Sequence, residues 1–596
     1  MATCPFSGRR TDDAPPPSGG GCPYSGGGEQ QPPSRSFSRR SLLKYGLAAL
    51  AVAPAFAGGR SQSFAAKAAK TAAGPTPVPA PGVSVPIGGT PKWSHAVGNP
   101  RGSDIAKAVG RTKEGRFGVM FKDLPPFAPS DDLLIQLAND MVDPRAPLKD
   151  VSDPTDGREN YAMPAGYTYF GQFVDHDITR DTTPLNLQKT DPHGLTNFDT
   201  AQFDLGSVYG GGPTKNPELY DPAKPGALRI TDMGYMWDQG GEAEMYDLPR
   251  LADGTAIIGD PRNDENLIVS QLQVAYLRLH NKFIDGGLPF AQAQALTRFH
   301  HQWVVVNDFL PRLVGQDLVD SLLTVNAKGN PKYRGTFYKP GNPNRPMMPI
   351  EYSVAAYRFG HSMIRGEYEV HDQLTLPIFG QEGRDLRGSR PFPPDLRIDW
   401  NYFFELPGVQ PPDDRNFARL IDTQLSMPLA FLPPTVVAPA ADAITALAAR
   451  NLLRGKMVGL PSGQDVAKKM KLTPLSNDEL GLTDPRWGGA APLWFYILKE
   501  SELLGGAQLG PVGGRIIAEV ILGLLTLRPS TYFNLASKFK PVMSDFKMGN
   551  LLQLAGAAPP SASADARKGG SGSGSGGSGG SGGDGSNAFV QGAVAR

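Results

Sequence analysis

Cysteine is nearly absent from this chain: two residues among 596, Cys4 and Cys22, both near the start. Beyond them no thiol exists, so disulfides and cysteine-ligated zinc or iron–sulfur centres are excluded from the rest of the chain. Histidines and carboxylates remain as candidate metal ligands. An excess of charge of either sign is also lacking. The net charge is +1 and no basic stripe is present, so no nucleic-acid partner is expected. Long apolar runs are scarce. The run Tyr45 to Phe56 holds 12 residues, short of the ~20 that span a bilayer, so no transmembrane segment is expected. Alternation with a period of two never persists for long, which argues against a large β-architecture.

What is present divides into four stretches. Residues 1–57 begin with an echoed pentapeptide, Cys4-Pro5-Phe6-Ser7-Gly8 and Cys22-Pro23-Tyr24-Ser25-Gly26. They continue through Ser38-Arg39-Arg40-Ser41-Leu42-Leu43-Lys44, the apolar run, and a small-x-small site, Ala55-Phe56-Ala57. This reads as a twin-arginine-type signal, so the protein is expected to be exported to the periplasm or the outside. Residues 58–94 are rich in Ala and Pro and read as a linker. Residues 95–555 are uniform in composition, with helical patterns at 166–178, 264–285, 290–310, 351–365, 441–454 and 513–527. The expected fold is one large, mainly α domain with long loops and little β. Residues 556–596 form a Gly/Ser-rich tether ending in the apolar peptide Ala588 to Val594, a candidate for docking to a partner. The alternative location is the cytoplasm, as cargo packaged in a shell through that tail.

Two clusters carry chemistry. In Gly171-Gln172-Phe173-Val174-Asp175-His176-Asp177, Gln172 and His176 are four apart and share a helical face. A histidine so placed can carry a proton from one peroxide oxygen to the other, and Gln172 can hold water or a small anion beside it. Taken alone, the segment reads equally well as a helix with a satisfied core histidine. Further on, Asp260-Pro261-Arg262-Asn263-Asp264-Glu265-Asn266 leads into an apolar-periodic helix. Arg262 supplies a permanent positive charge of the kind that steadies a leaving oxygen. Asp264 is the expected cap of that helix, which leaves Glu265 for other work. The second cluster is Tyr357-Arg358-Phe359-Gly360-His361. Gly360 admits a flat partner to the backbone, Arg358 suits a propionate, and His361 suits an iron. Asn451 is the candidate acceptor for the other ring N–H of His361. Two histidine sites and an arginine together favour a haem.

These segments resemble the animal-type haem peroxidases and their bacterial relatives. The motifs are Gln172, Asp175, His176 and Asp177; Arg262 and Glu265, with His280-Asn281 at the end of the helix; Arg358, Gly360 and His361; and Asn451, Arg454 and Gly459-Leu460-Pro461. Leu509 to Arg515 is similar to bacterial members, and the resemblance covers roughly 95–555. It implies a haem b peroxidase that reduces hydrogen peroxide and oxidises a halide, thiocyanate or phenol through a ferryl intermediate. His176, Arg262 and Gln172 would be catalytic, with His361 on the iron and Arg358 and Asn451 beside the cofactor. Asp175 and Glu265 match carboxylates that form ester bonds to haem methyl groups. Asp177, with Thr200, Gln202 and Asp204, matches a calcium site. Gly206 stands there in place of a hydroxyl ligand, and Asn266 stands where a methionine would give a third haem bond.

Two rival readings belong to other functions. A fatty-acid dioxygenase of the same superfamily carries a radical tyrosine, usually three residues before the proximal histidine, where this chain has Arg358. A non-catalytic adhesion or matrix protein on the same scaffold would be expected to lack a catalytic residue, and every one is present.

Overall fold

A computed structural model of the chain describes residues 115–560, apart from short internal segments, the longest being 146–156 and 180–195. The expected signal, the linker, the terminal peptide and Thr200 lie outside the described residues.

The fold is mainly α with little β. The helices that frame the site are α1 (Asp131–Asp140), α2 (Gly166–Ile178), α3 (Leu267–Asp285), α4 (Phe290–Val304), α5 (Leu447–Met457), α6 (Leu493–Leu503) and α7 (Pro511–Leu527). The largest sheet among the described residues has four short strands, in the order 196–197, 115–118, 345–349, 341–342. Gly115–Gly118 runs parallel to Arg345–Pro349 and antiparallel to Thr196–Asn197. The remaining strands of the described residues form two-stranded pairs.

Local sequence explains where the main helices sit. In α3, Leu272, Ala275, Tyr276, Leu279 and Phe283 recur at helical spacing and are buried. Asn266 caps this helix by accepting from the Val269 N–H at 2.9 Å. Helix α7 begins with Pro511 and is buried along nearly its whole length. Its one fully buried acid, Glu519, accepts from the backbone N–H groups of Thr336, Phe337 and Tyr338. Helix α2 starts against residues 403–404, where a Cβ on Gly166 would lie 2.4 Å from the Phe403 carbonyl oxygen. Only glycine fits there. Among the described residues, no helix is long and apolar enough to cross a membrane.

Three expected helices differ in the structure. The 290–310 pattern is interrupted after Val304 by a π-turn, Val305–Phe309. The 441–454 pattern forms helix only from Leu447. The 351–365 stretch is a π-turn, Glu351–Ala355, followed by a 3-10 turn, Ala356–His361. Tertiary contacts account for this last departure. The buried Glu351 carboxylate accepts from the N–H groups of Met120 and Phe121 at 3.0 Å, and Trp494 donates to the Arg358 carbonyl at 3.2 Å. These tethers outweigh local helical preference.

Candidate active site

His176 lies near the C-terminal end of α2, buried, with Nδ1 2.7 Å from Oδ1 of Asn263. Asn263 sits in the 3-10 turn Pro261–Asp264. Its Nδ2 donates to Gln273 Oε1 at 2.8 Å, so its oxygen faces the imidazole and the shared proton belongs to Nδ1. The ring's lone pair is therefore on Nε2. Gln273 donates onward to the Ser207 carbonyl at 3.4 Å.

Arg262 is held by a fully buried acid. Asp260 accepts from the Arg262 N–H at 3.0 Å and meets the guanidinium at 2.8 Å. Arg262 Nη2 donates to the His176 carbonyl at 3.2 Å, and Nη1 stands 3.9 Å from Asp175. The guanidinium thus caps the end of α2, where a positive charge is favoured. Gln172 donates to Glu265 at 3.2 Å and accepts from Asn266 Nδ2 at 3.1 Å. Asp264 does not cap α3. It is buried against Arg250, at 2.7 and 2.9 Å; Asn266 caps α3, and Asp260 caps the 3-10 turn before it.

In the second cluster, His361 ends the 3-10 turn Ala356–His361, with Nδ1 2.7 Å from Asn451 Nδ2 on α5. Arg358 Nη1 donates to Asn451 Oδ1 at 2.8 Å. The expected pair meets, with the opposite polarity. Arg358 is an obligate donor, so it claims the amide oxygen and leaves the amide NH₂ to face the imidazole. A carboxylate drawing Arg358 away would let Asn451 turn and accept the His361 proton.

The two clusters lie on neighbouring elements: Tyr357, beside Arg358, donates to the carbonyl of Gly171, beside Gln172, at 3.1 Å, and the space the clusters border is the candidate hollow. Burial pushes the Glu265 carboxyl up to about 7, and Arg262 opposes that shift. Burial likewise raises Asp175, against the pull of Arg262 and the charge of Arg358. His361 is lowered to about 3 by burial and by Arg358. Yet Glu265 has exposed surface, and Asp175, His361 and Arg358 are half-buried. Open surface on groups so far removed from bulk water belongs to the wall of a cavity. A Cβ on Gly360 would meet nothing within 4 Å, so the space continues beside His361. One imidazole, a flat opening and a cation for a propionate fit a haem.

The expected calcium ligands are only partly assembled. Asp177 and Asp204 both accept from the Gly206 N–H, at 2.9 and 3.1 Å, and Asp177 also accepts from the Leu205 N–H at 3.1 Å. Two converging carboxylates suit a hard cation. Gln202 turns its side chain to the Pro343 carbonyl at 3.3 Å. Among the described residues, no three His, Cys, Asp or Glu groups converge as a metal site.

Sequence reasoning missed Asn263, Gln273 and Asp260. Only Asp260 had a local signal: an acid directly before Pro261 is a cap followed by a first-turn proline. His280 and Asn281 have other work. His280 contacts the Gly226 carbonyl at 2.8 Å and Tyr209 at 3.1 Å, while Asn281 pairs with both backbone groups of Leu228 at 2.8 Å.

The family match named Animal haem peroxidase spans residues 180–480, just over half of the chain, and the protein belongs to that family. The α2 residues Gln172 to Asp177 precede the matched stretch. A peroxidase-like protein of Margaritifera margaritifera is 30% identical over 272 residues, covering 35% of this chain and 33% of that relative. A chorion peroxidase of Aedes aegypti is 29% identical over 130 residues, covering 20% of this chain and 16% of the relative. The chain thus spans a third or less of the length of these relatives. Among solved structures, peroxidase A of Dictyostelium discoideum shares the fold, with a TM-score of 0.50 at 15% identity, covering 75% of this chain and 94% of that one.

Proposed function

We propose that this protein is a haem peroxidase that reduces hydrogen peroxide and oxidises a small donor such as a halide, thiocyanate or phenol. The observation that supports the proposal is the pair of positioned histidines: His176 is oriented by Asn263, and His361 is held by Asn451.

Haem, if bound in the candidate hollow, would supply the redox chemistry that reduces peroxide. The chain's own groups do the rest. His361 would hold the iron, and Arg358 would take a propionate. His176 Nε2 takes the proton from the nearer peroxide oxygen and returns it to the departing one. Arg262, fixed by Asp260, holds positive charge beside that oxygen. Gln172, itself fixed at both ends of its amide, orients water or a halide. Asp175 and Glu265 would anchor the haem rim through ester bonds to its methyl groups, with peroxide as the two-electron oxidant that replaces each methyl C–H. Calcium, held partly by Asp177 and Asp204, steadies the end of α2, and no proton step depends on it. Export through the twin-arginine-type signal is part of the same proposal.

The rival dioxygenase reading needs an available tyrosine near His361. Tyr357 donates its hydroxyl to the Gly171 carbonyl at 3.1 Å instead. The test is an absorbance spectrum of the purified protein before and after peroxide. A haem band that shifts with peroxide and returns when a phenol is added is expected. A protein without haem, or a band that peroxide leaves unmoved, would overturn the reading.

A further inference from the structure

Tyr276 lies in the middle of α3, fully buried, and its hydroxyl meets Nδ1 of His301 on α4 at 2.7 Å. The tyrosine ring stacks on Phe173, with centroids 4.7 Å apart and planes at 14°. Phe173 is fully buried on α2, the helix that also carries Gln172 and His176, so the stack joins Tyr276 to that helix. His301 is fully buried among Phe170, Phe173 and Phe203. Among the described residues its Nε2 has no hydrogen-bond partner. Packing alone explains this poorly. An imidazole with an unfilled nitrogen in an aromatic core is destabilising, and an apolar side chain would fill the space without that penalty.

Oxidising a phenol in such a place by electron loss alone would leave a cation with no solvent around it. A base in hydrogen-bond contact lowers the barrier, because a phenol radical cation is a very strong acid and its proton passes to His301, which then carries the charge. We propose that Tyr276 and His301 are a redox-active pair that gives one electron to the peroxide-oxidised haem and holds the hole as a neutral tyrosyl radical. The inference rests on the haem peroxidase reading.

The step balances. One electron leaves the Tyr276 ring and reduces the oxidised haem by one equivalent. The Tyr276 O–H bond breaks, and an N–H bond forms at His301 Nδ1. When a one-electron donor such as a phenol refills the hole, the proton returns to the oxygen. In the resting state burial holds the Tyr276 hydroxyl well above its ordinary range and His301 down to about 3, which keeps the proton on oxygen.

Neighbouring tyrosines lack one part of this arrangement. Tyr357 donates to a carbonyl oxygen, which takes no proton. Tyr167 donates to Asp308 at 2.6 Å, whose charge is already held by Arg312. Tyr209 has His280 at 3.1 Å, but that pair packs against Phe290, with no ring on α2 in contact.

The test uses the haem-loaded full chain, mixed with hydrogen peroxide, frozen, and read by electron paramagnetic resonance. A tyrosyl signal is expected whose splitting collapses when tyrosine is ring-deuterated. Tyr276→Phe, which removes only the hydroxyl, should lose the signal. His301→Gln, which keeps an acceptor but takes no proton, should lose it too. Tyr209→Phe should keep it. In all three the shift of the haem band with peroxide should match the wild type. A signal that survives Tyr276→Phe overturns the proposal, as does a wild type with a responsive haem band and no tyrosyl signal. A haem band that peroxide does not move overturns both readings, since the oxidant is then missing.

Discussion

Asn266 reaches from the start of α3 to donate to Gln172 on α2 at 3.1 Å, while its oxygen caps its own helix at Val269. Both ends of the amide are engaged, and it carries no group that could bond to a haem. The other end of Gln172 rests on Glu265. Asn266, next to Glu265, therefore fixes Gln172 and offers no group for a covalent haem link.

Two haem links are accordingly expected, through Asp175 and Glu265, with none through a methionine. An ester neutralises a carboxyl that burial already disfavours as an ion. After peroxide treatment, Asp175→Val and Glu265→Gln should each remove one link. The double variant should release all of its haem into acidified solvent. Quantitative release from the peroxide-treated wild type would rule the links out.

His361→Ala should lose the haem band or bind haem loosely, whereas His280→Ala should keep it. The structure separates the two histidines: His280 is occupied by Tyr209 and the Gly226 carbonyl, far along α3 from the hollow's wall. Haem titration followed at the Soret band decides the matter, and a normal band in His361→Ala would end the ligand assignment.

Asn263→Leu should keep the haem and slow its reaction with peroxide. Without the Asn263 oxygen, nothing selects the Nδ1–H form of His176. The loss should be a sizeable part of the ~10²–10⁴-fold that acid–base help is worth. Stopped-flow mixing measures it, and a variant as fast as the wild type would remove Asn263 from the mechanism.

Glu500 gives a pH dependence unrelated to haem. It accepts from the Val512 N–H at 2.8 Å, and burial raises its carboxyl from 4.5 to about 7. An acid held protonated in the folded state stabilises most below its unfolded pKa, and that contribution disappears as pH rises through the folded value. At about 1.4 kcal/mol per unit, the whole contribution is on the order of 3 kcal/mol. Glu500→Gln should therefore gain in Tm relative to the wild type at about pH 8 and show no such gain at about pH 5. Parallel Tm curves for the two proteins would contradict the assignment.

Helix α2 was legible in the sequence to its ends, because an apolar-periodic face and a glycine start agree with its tertiary setting. The stretch from Glu351 to His361 was not, because its π and 3-10 turns come from Met120, Phe121 and Trp494, remote in sequence. The site shows the same division. His176, Arg262 and His361 stand in recognisable local patterns. Asn263 and Gln273 take their meaning from a contact between segments, and the reversed polarity of Asn451 from its competition with Arg358. No spacing rule encodes those.

The contacts that define the hollow all join distant parts of the chain. His176 and Asn263 are 87 residues apart, Asn451 and His361 are 90, and Arg358 and Asn451 are 93. Loops of that length close late in folding, after local helices have formed. No single helix or hairpin can preassemble a haem pocket, and a partly made chain has nothing with which to capture the cofactor. Haem offered during refolding should therefore be taken up in a single late phase, together with the last gain in tertiary structure.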